Sequence, residues 1–373
     1  EGRPIYRSSR ALVTDTSMPE NDAHSAVDMM NKLQQEDAIV VAHVGGRYAD
    51  IKYAHDAKLE PSVEVHSSWG TFEWILNDAF DCGYKIGIVA SSDGHKGRPG
   101  SEFPGNSQFG SFGGLTCHLL PELDRNHFFS AFRSRKHYAT TGARIFMDVT
   151  AQTDERVHQI GEVIQTKSDH VTLNVEVIGT APLERVDLFD GKNIIETVRP
   201  WTLSNQIERL RITCAGQHYR GRGRLVKWEV TARLDAGQIK KYDTVNFWNP
   251  NKQPKLISET EISWETVTTG GASAVDLWVN SFSGSDKLLI ETNQGNMTLD
   301  ANKIDKEAGV TQECGGMDIR LNVQQLPKTL SEKCLSISRD LKLARGMERR
   351  LFIRVTQEDG HQAWTSPFYI LQS

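Results

Sequence analysis

The hydrophobic period of this chain changes once, near residue 150, and that change constrains the fold more than any other feature. Before it, short continuous apolar runs alternate with segments of helical spacing. Residues 21–35 place Ala26, Met29, Met30 and Leu33 on one face behind Asn21 as a cap. Residues 71–82 do the same with Phe72, Ile75, Leu76 and Ala79, and Gly83 stops them. A third helix is predicted over 126–137, carrying Phe128, Phe129 and Phe132. Between these, the runs 38–43, 62–66 and 85–91 read as strands. Such alternation predicts parallel α/β architecture. After residue 150 a period of two takes over, clearest in Val171, Leu173, Val175 and Val177. It recurs near 185–189, 225–234, 275–279, 287–292 and 351–355, with turn-forming residues between. The expectation is an α/β unit over 1–150 followed by an antiparallel β-sandwich over 151–373.

Two of the early strands end in side chains that bind metals. The run Ala38–Ala42 leads into His43, and Ile86–Ala90 leads into Ser91-Ser92-Asp93-Gly94-His95. The carboxyl ends of strands in α/β folds are where catalytic groups collect. A carboxylate and imidazoles converging there suit a divalent cation. Gly94 lets the backbone turn so that Asp93 and His95 enter one pocket. On the strand between them, Glu64 and His66 alternate and are expected on one face, as ligands or as partners that orient a ligating histidine. The glycine-rich loop 97–114 is too polar to pack alone, and reads as a lid that brings Lys96 or Arg98 to an anionic substrate. The Thr140-Thr141-Gly142 turn gives Arg144 a similar role. His55 and His118 read as structural.

The remaining composition excludes more than it assigns. A net charge of −5 and a pI of about 6.2 give no footprint for nucleic acid or a membrane surface. No apolar stretch approaches the length of a membrane span and no signal peptide opens the chain, so a cytoplasmic protein is expected. The five cysteines form neither a CxxC pair nor a disulfide framework; a Cys314–Cys334 bridge is the pairing left open. The first residue is Glu1 rather than Met, from which an upstream segment, lost or on another chain, is expected.

Longer strings carry a family resemblance. The segment Ile39–His43 with its following glycines, the strand Val63-Glu64-Val65 and the Asp93-Gly94-His95 motif resemble the metal-binding strands of the PHP superfamily, named for polymerase and histidinol phosphatase domains. Together with Ser91–Gly100, Phe112–Thr116, Tyr138–Arg144 and Arg354–Pro367, they are similar to a large bacterial family of PHP-like proteins of unknown function with a C-terminal β domain. The resemblance implies a distorted (β/α)7 barrel, up to three zinc, manganese or iron ions, and hydrolysis of phosphate esters. His43, Asp93 and His95 match its ligands. The superfamily's opening HxH motif has no counterpart in residues 1–37, where the one histidine is His24. This chain is therefore expected to supply the C-terminal half of the barrel and not to close it alone, either retaining the missing N-terminal segment or burying the open sheet against another subunit of a homo-oligomer or against the β-sandwich.

The leading expectation is thus a metal-dependent hydrolase, a phosphoesterase acting on a small anionic or phosphorylated substrate. Two alternatives stand beside it. One keeps the metal but directs it at an amide or ester carbonyl. The other is a catalytically incomplete protein that binds carbohydrate or protein through the β-sandwich, with Trp201, Trp228, Trp248, Trp264, Trp278 and Trp364 as stacking surfaces or, for most of them, as core.

Overall fold

The computed structural model describes residues 7–8, 22–45, 48–95, 97, 100, 111–221 and 223–373. Among these the chain is dominated by β-structure, with 27 strands against three α-helices. The sheets are several and none closes on itself. This corrects the expected barrel: the fold is all-β with a small α/β layer laid on it.

That layer carries the candidate site. Strands Ser62–Ser67 and Gly87–Ala90 pair in parallel, with the hairpin strand Gly70–Thr71 beside the first. The predicted strand 38–43 contributes one parallel bridge, Ala42 to Val63, and otherwise runs irregularly. Helix α1 (Ala26–Leu33) is shorter than its apolar stripe suggested and is capped by Ser25, whose Oγ accepts the Asp28 N–H at 3.2 Å. Asn21 lies outside the described residues. Helix α2 (Trp74–Asp81) ends where Gly83 takes φ +71°, with Tyr84 N–H bonded to the Ala79 carbonyl and Gly83 N–H to that of Phe80. Helix α3 (Arg125–Arg133) stops short of His137 because Arg135 turns into the left-handed region at φ +60°.

A barrel would extend the layer past Gly87–Ala90, but that edge is closed differently. Tyr369 Oη accepts the Ile86 N–H and donates to the Ile86 carbonyl, both at 2.8 Å. Ser366 Oγ accepts from Ile88 N–H, and Thr116 Oγ1 bridges the Ala90 N–H and carbonyl. Side chains of the neighbouring sheet thus satisfy backbone groups that an open edge would leave unpaired.

That neighbour is an eight-stranded sheet, and it crosses residue 150. Its order is Val163–Thr166, Phe368–Gln372, Glu348–Gln357, Gln362–Thr365, His137–Thr140 and Leu115–His118. Leu183–Asp190 also pairs with Glu348–Gln357 and carries Asn193–Val198 on its outer side. The division expected at residue 150 therefore cuts a sheet. Alternation explains why both its faces are buried. Leu351, Ile353, Val355, Phe368 and Ile370 face the four-stranded sheet built on Phe146–Gln152, His170–Ile178 and Cys334–Lys342. Phe352, Trp364 and Tyr369 face Val63, Val65, Phe72, Ile75 and Ile88 of the α/β layer.

Apart from a two-stranded parallel pair, Arg7–Ser8 with Asp22–Ala23, the remaining β-structure is an insertion. Between Asn193–Val198 and Cys334–Lys342 lie two five-stranded antiparallel sheets, centred on Arg209–Gln217 and Val226–Leu234. Their inward-facing residues, Leu210, Ile212, Trp228, Val230, Leu277 and Leu321 among them, share one core.

Candidate metal centre

The site forms where the irregular segment 38–45 and the two parallel strands end together. His43 Nδ1 lies 2.5 Å from Glu64 Oε2, and the other Glu64 oxygen accepts from Ser91 Oγ. On the far side of the same imidazole, Nε2 lies 3.4 Å from Asp93 Oδ2. His95 Nε2 lies 3.9 Å from Asp93 Oδ1. Side-chain exposure is 5% at Glu64, 19% at Asp93, 44% at His43 and 55% at His95. The innermost carboxylate thus faces protein, while the opposite edge of the cluster faces solvent.

The electrostatics follow the geometry. The hydrogen bond to Glu64 raises the His43 pKa above its ordinary value, assisted by the Glu64 and Asp93 charges and opposed by burial and Arg224. Asp93 adopts φ +45°, a region few non-glycine residues visit, and Ser68 Oγ donates to its backbone carbonyl at 3.2 Å. The turn so held leaves Asp93 Oδ2 buried without a hydrogen-bond partner among the described residues. An orphaned buried carboxylate oxygen facing an imidazole nitrogen fits a cation-binding donor pair.

His66 is committed elsewhere. The strand register slips between Glu64 and His66, and the two side chains meet different partners. His66 Nε2 lies 2.8 Å from the Phe112 carbonyl, which can only accept, so Nε2 carries the proton. Nδ1 then accepts from Thr71 Oγ1 at 2.9 Å. Burial lowers the His66 pKa to about 4, and both nitrogens are engaged without a metal. Arg98 and Lys96 lie outside the described residues. Arg144 is exposed beyond the Thr140–Gly142 turn. That turn does approach the site: a Cβ on Gly142 would stand 2.5 Å from the Gly113 carbonyl, and one on Gly114 would stand 2.6 Å from Ala90 Cβ and 3.0 Å from Ser91 N.

Sequence reasoning missed three participants. Ser91 and Ser68 fix Glu64 and the Asp93 turn from positions next to apolar runs. Arg224 reaches in from the inserted sandwich and bonds the carbonyls of Val44 and Gly45. The Arg220–Arg224 string, with its alternating Gly and Arg, is the signal that was available.

Among the described residues, His43, Asp93 and His95 are linked pairwise through Asp93 and their ligand atoms do not all lie within 4.8 Å of one another, whereas those of one group of three His, Cys, Asp or Glu do, namely Glu122, Asp124 and His127. It is exposed, and its contacts already have a role: Asp124 caps α3 by accepting the His127 N–H and also binds the His127 ring. All five cysteines are free, including Cys314 and Cys334. Trp228, Trp264 and Trp364 are buried, whereas Trp201 and Trp278 donate to the Glu184 and Lys328 carbonyls. Trp248 is exposed. No helix among the described residues is long and apolar enough to cross a membrane. Comparison with protein-family models, with curated proteins and with solved structures gave no match.

Proposed function

We propose that this chain is a metal-dependent hydrolase of phosphate esters, with His43, Asp93 and His95 as the ligands of a divalent cation of the zinc, manganese or iron class. The observation that supports it is the order Glu64, His43 Nδ1, His43 Nε2, Asp93. A buried carboxylate on one imidazole nitrogen fixes the tautomer and aims the other nitrogen outward, as partners of metal-ligating histidines do. Asp93 Oδ2, buried and unbonded, is the oxygen that Nε2 meets.

A divalent cation held there supplies Lewis acidity, which makes water nucleophilic near neutral pH and offsets charge on a phosphoryl oxygen. The protein's own groups do the rest. Glu64 accepts the Nδ1 proton of His43 and is itself held by Ser91. The Asp93 turn, fixed by Ser68, presents the carboxylate toward the exposed edge, where His95 stands and from which a small anionic substrate has access. The proposal rests on this donor set and needs no barrel.

The test is hydrolysis by the intact chain, loaded separately with Zn(II), Mn(II) and Fe(II), against phosphomonoesters, phosphodiesters and amides in parallel. Metal-dependent turnover of a phosphate ester, lost in Asp93→Ala, is expected. Turnover of amides alone would redirect the assignment to carbonyl chemistry, and turnover unchanged by Asp93→Ala would overturn it.

A further inference from the structure

His43 occupies a position that the sheet barely supports. Among the described residues its segment makes one bridge, Ala42 to Val63, and one further backbone bond, Val40 N–H to the Leu59 carbonyl at 2.7 Å. The chain then leaves the sheet at Val44 and Gly45, whose carbonyls would be unsatisfied if buried without a donor. Arg224 supplies the donors. Its Nη1 bonds the Val44 carbonyl at 3.0 Å and its Nη2 the Gly45 carbonyl, while Nε bonds the Gly221 carbonyl of its own loop at 3.0 Å. The guanidinium is buried and lies 4.8 Å from the Phe72 ring centroid and 5.6 Å from that of Trp69. A planar fork that bonds two successive carbonyls fixes the direction of that peptide, which a single ammonium cannot do.

The imidazole depends on that peptide. A Cβ added to Gly45 would stand 2.4 Å from His43 Nε2, so the ring lies folded against the Gly45 backbone. Moving Gly45 therefore moves the surface on which the ring rests. The inserted sandwich is locked onto the same region by further contacts: Arg220 pairs with Asp78 and lies over Trp74, and Gly70 and Gly270 each approach the other loop's backbone too closely to admit a Cβ.

We propose that Arg224, delivered by the inserted sandwich, is a positioning residue that sets the orientation of His43 by clamping the Val44 and Gly45 carbonyls. The proposal rests on the metal-site reading for its function but not for its geometry. The inserted sandwich is then part of the site's support, because among the described residues it supplies the side-chain donors to the Val44 and Gly45 carbonyls that follow His43.

The experiment uses the intact chain with ¹⁵N-labelled histidine, the His43 signals being assigned with His43→Gln. Arg224→Met keeps the apolar stem against Phe72 and Trp69 and deletes the donors, whereas Arg224→Lys restores a charge and one donor group. Circular dichroism and the thermal midpoint establish that each variant is folded. If Arg224→Met does not fold, Arg224→Lys against wild type carries the comparison. In the wild type, the His43 Nδ1 proton bonded to Glu64 is expected as a slowly exchanging downfield resonance. It is expected to be lost or broadened in Arg224→Met and partly recovered in Arg224→Lys, with Co(II) affinity falling at least tenfold and recovering in the same order. An unchanged Nδ1 proton in a folded Arg224→Met chain overturns the proposal, as does an Arg224→Lys chain indistinguishable from wild type when Arg224→Met is unfolded. If the wild type binds no Co(II) yet the Nδ1 proton still depends on Arg224, positioning stands and the metal reading falls.

Discussion

Glu64 holds His43 by a carboxylate oxygen 2.5 Å from Nδ1, and the same carboxylate is held in turn by Ser91. The pair ties the end of the irregular segment 38–45 to the interior of strand Ser62–Ser67, 21 residues further on. Glu64→Gln preserves shape but removes the charge that fixes the histidine tautomer. Loss of such a partner costs about 10- to 100-fold in metal affinity. Competition with a chromophoric zinc chelator should show a loss of that size, with the thermal midpoint little changed. Wild-type affinity in Glu64→Gln would remove Glu64 from the site.

Gly114 packs flat against the strand that ends in Asp93. A Cβ there would stand 2.6 Å from Ala90 Cβ, 3.0 Å from Ser91 N and 3.1 Å from the His66 carbonyl, closer than backbone neighbours tolerate. Gly114→Ala should therefore displace Ser91 and lower both stability, by about 1–3 kcal/mol, and metal affinity. Urea denaturation and metal titration on the same preparation check the two effects. A drop in stability with unaltered metal affinity would show that the strand end is not the site's support.

Buried neutral histidines set the acid limit of the fold. Burial lowers His66 to about 4 and His137 to about 3, with the His118 and Arg135 charges adding to the effect on His137. Both folded values lie below the ordinary 6.5. Below pH 6.5 the unfolded chain therefore binds protons that the folded chain refuses. Stability falls as pH drops from 6.5 toward 4, by about 1 kcal/mol per pH unit for each group. His43 acts in the opposite sense: its raised value makes its contribution full below 6.5 and lost as pH rises through the folded value. Urea midpoints measured with a chelator present should decline between pH 6.5 and 5. His137→Gln should flatten the decline, and an equal slope in that variant would count against the assignment.

A buried charge cluster joins the inserted sandwich to Glu184 on the strand Leu183–Asp190. Asp276 accepts from Arg211 Nε at 2.7 Å and also pairs with Arg209, while Glu184 pairs with Arg211. All four side chains are buried. Removing one partner leaves buried charge uncompensated, which costs about 3–5 kcal/mol. Asp276→Asn should lower the denaturation midpoint accordingly, and a change below ~1 kcal/mol would mean that the cluster is solvated in practice.

Local pattern revealed local structure. The apolar runs before Asp93 and around Val63, the stripe of α2 and the stop at Gly83 all appear in the chain where their residues place them. So do the period-two strands such as His170–Ile178 and Val226–Leu234. What local pattern does not encode is partnership. Leu115–His118 and His137–Thr140 follow an α/β segment, yet they pair into a sheet with Gln362–Thr365, more than two hundred residues later. Nothing in their own residues distinguishes that edge from a barrel strand. The site shows the same division. His43, Asp93 and His95 stood out because strand ends carried them. His66 did not reveal that Thr71 and Phe112 would occupy both its nitrogens, and the Gly/Arg string around Arg224 could not reveal where that residue acts, because its targets are backbone carbonyls, which leave no mark in a sequence.

The central claim is that His43, Asp93 and His95 bind a divalent cation. Equilibrium dialysis of the intact chain against zinc, followed by elemental analysis, measures this directly when wild type and Asp93→Ala are run side by side. The account predicts bound zinc in the wild type and a loss of at least tenfold in affinity in a folded Asp93→Ala chain. Equal metal content in the two proteins would contradict it.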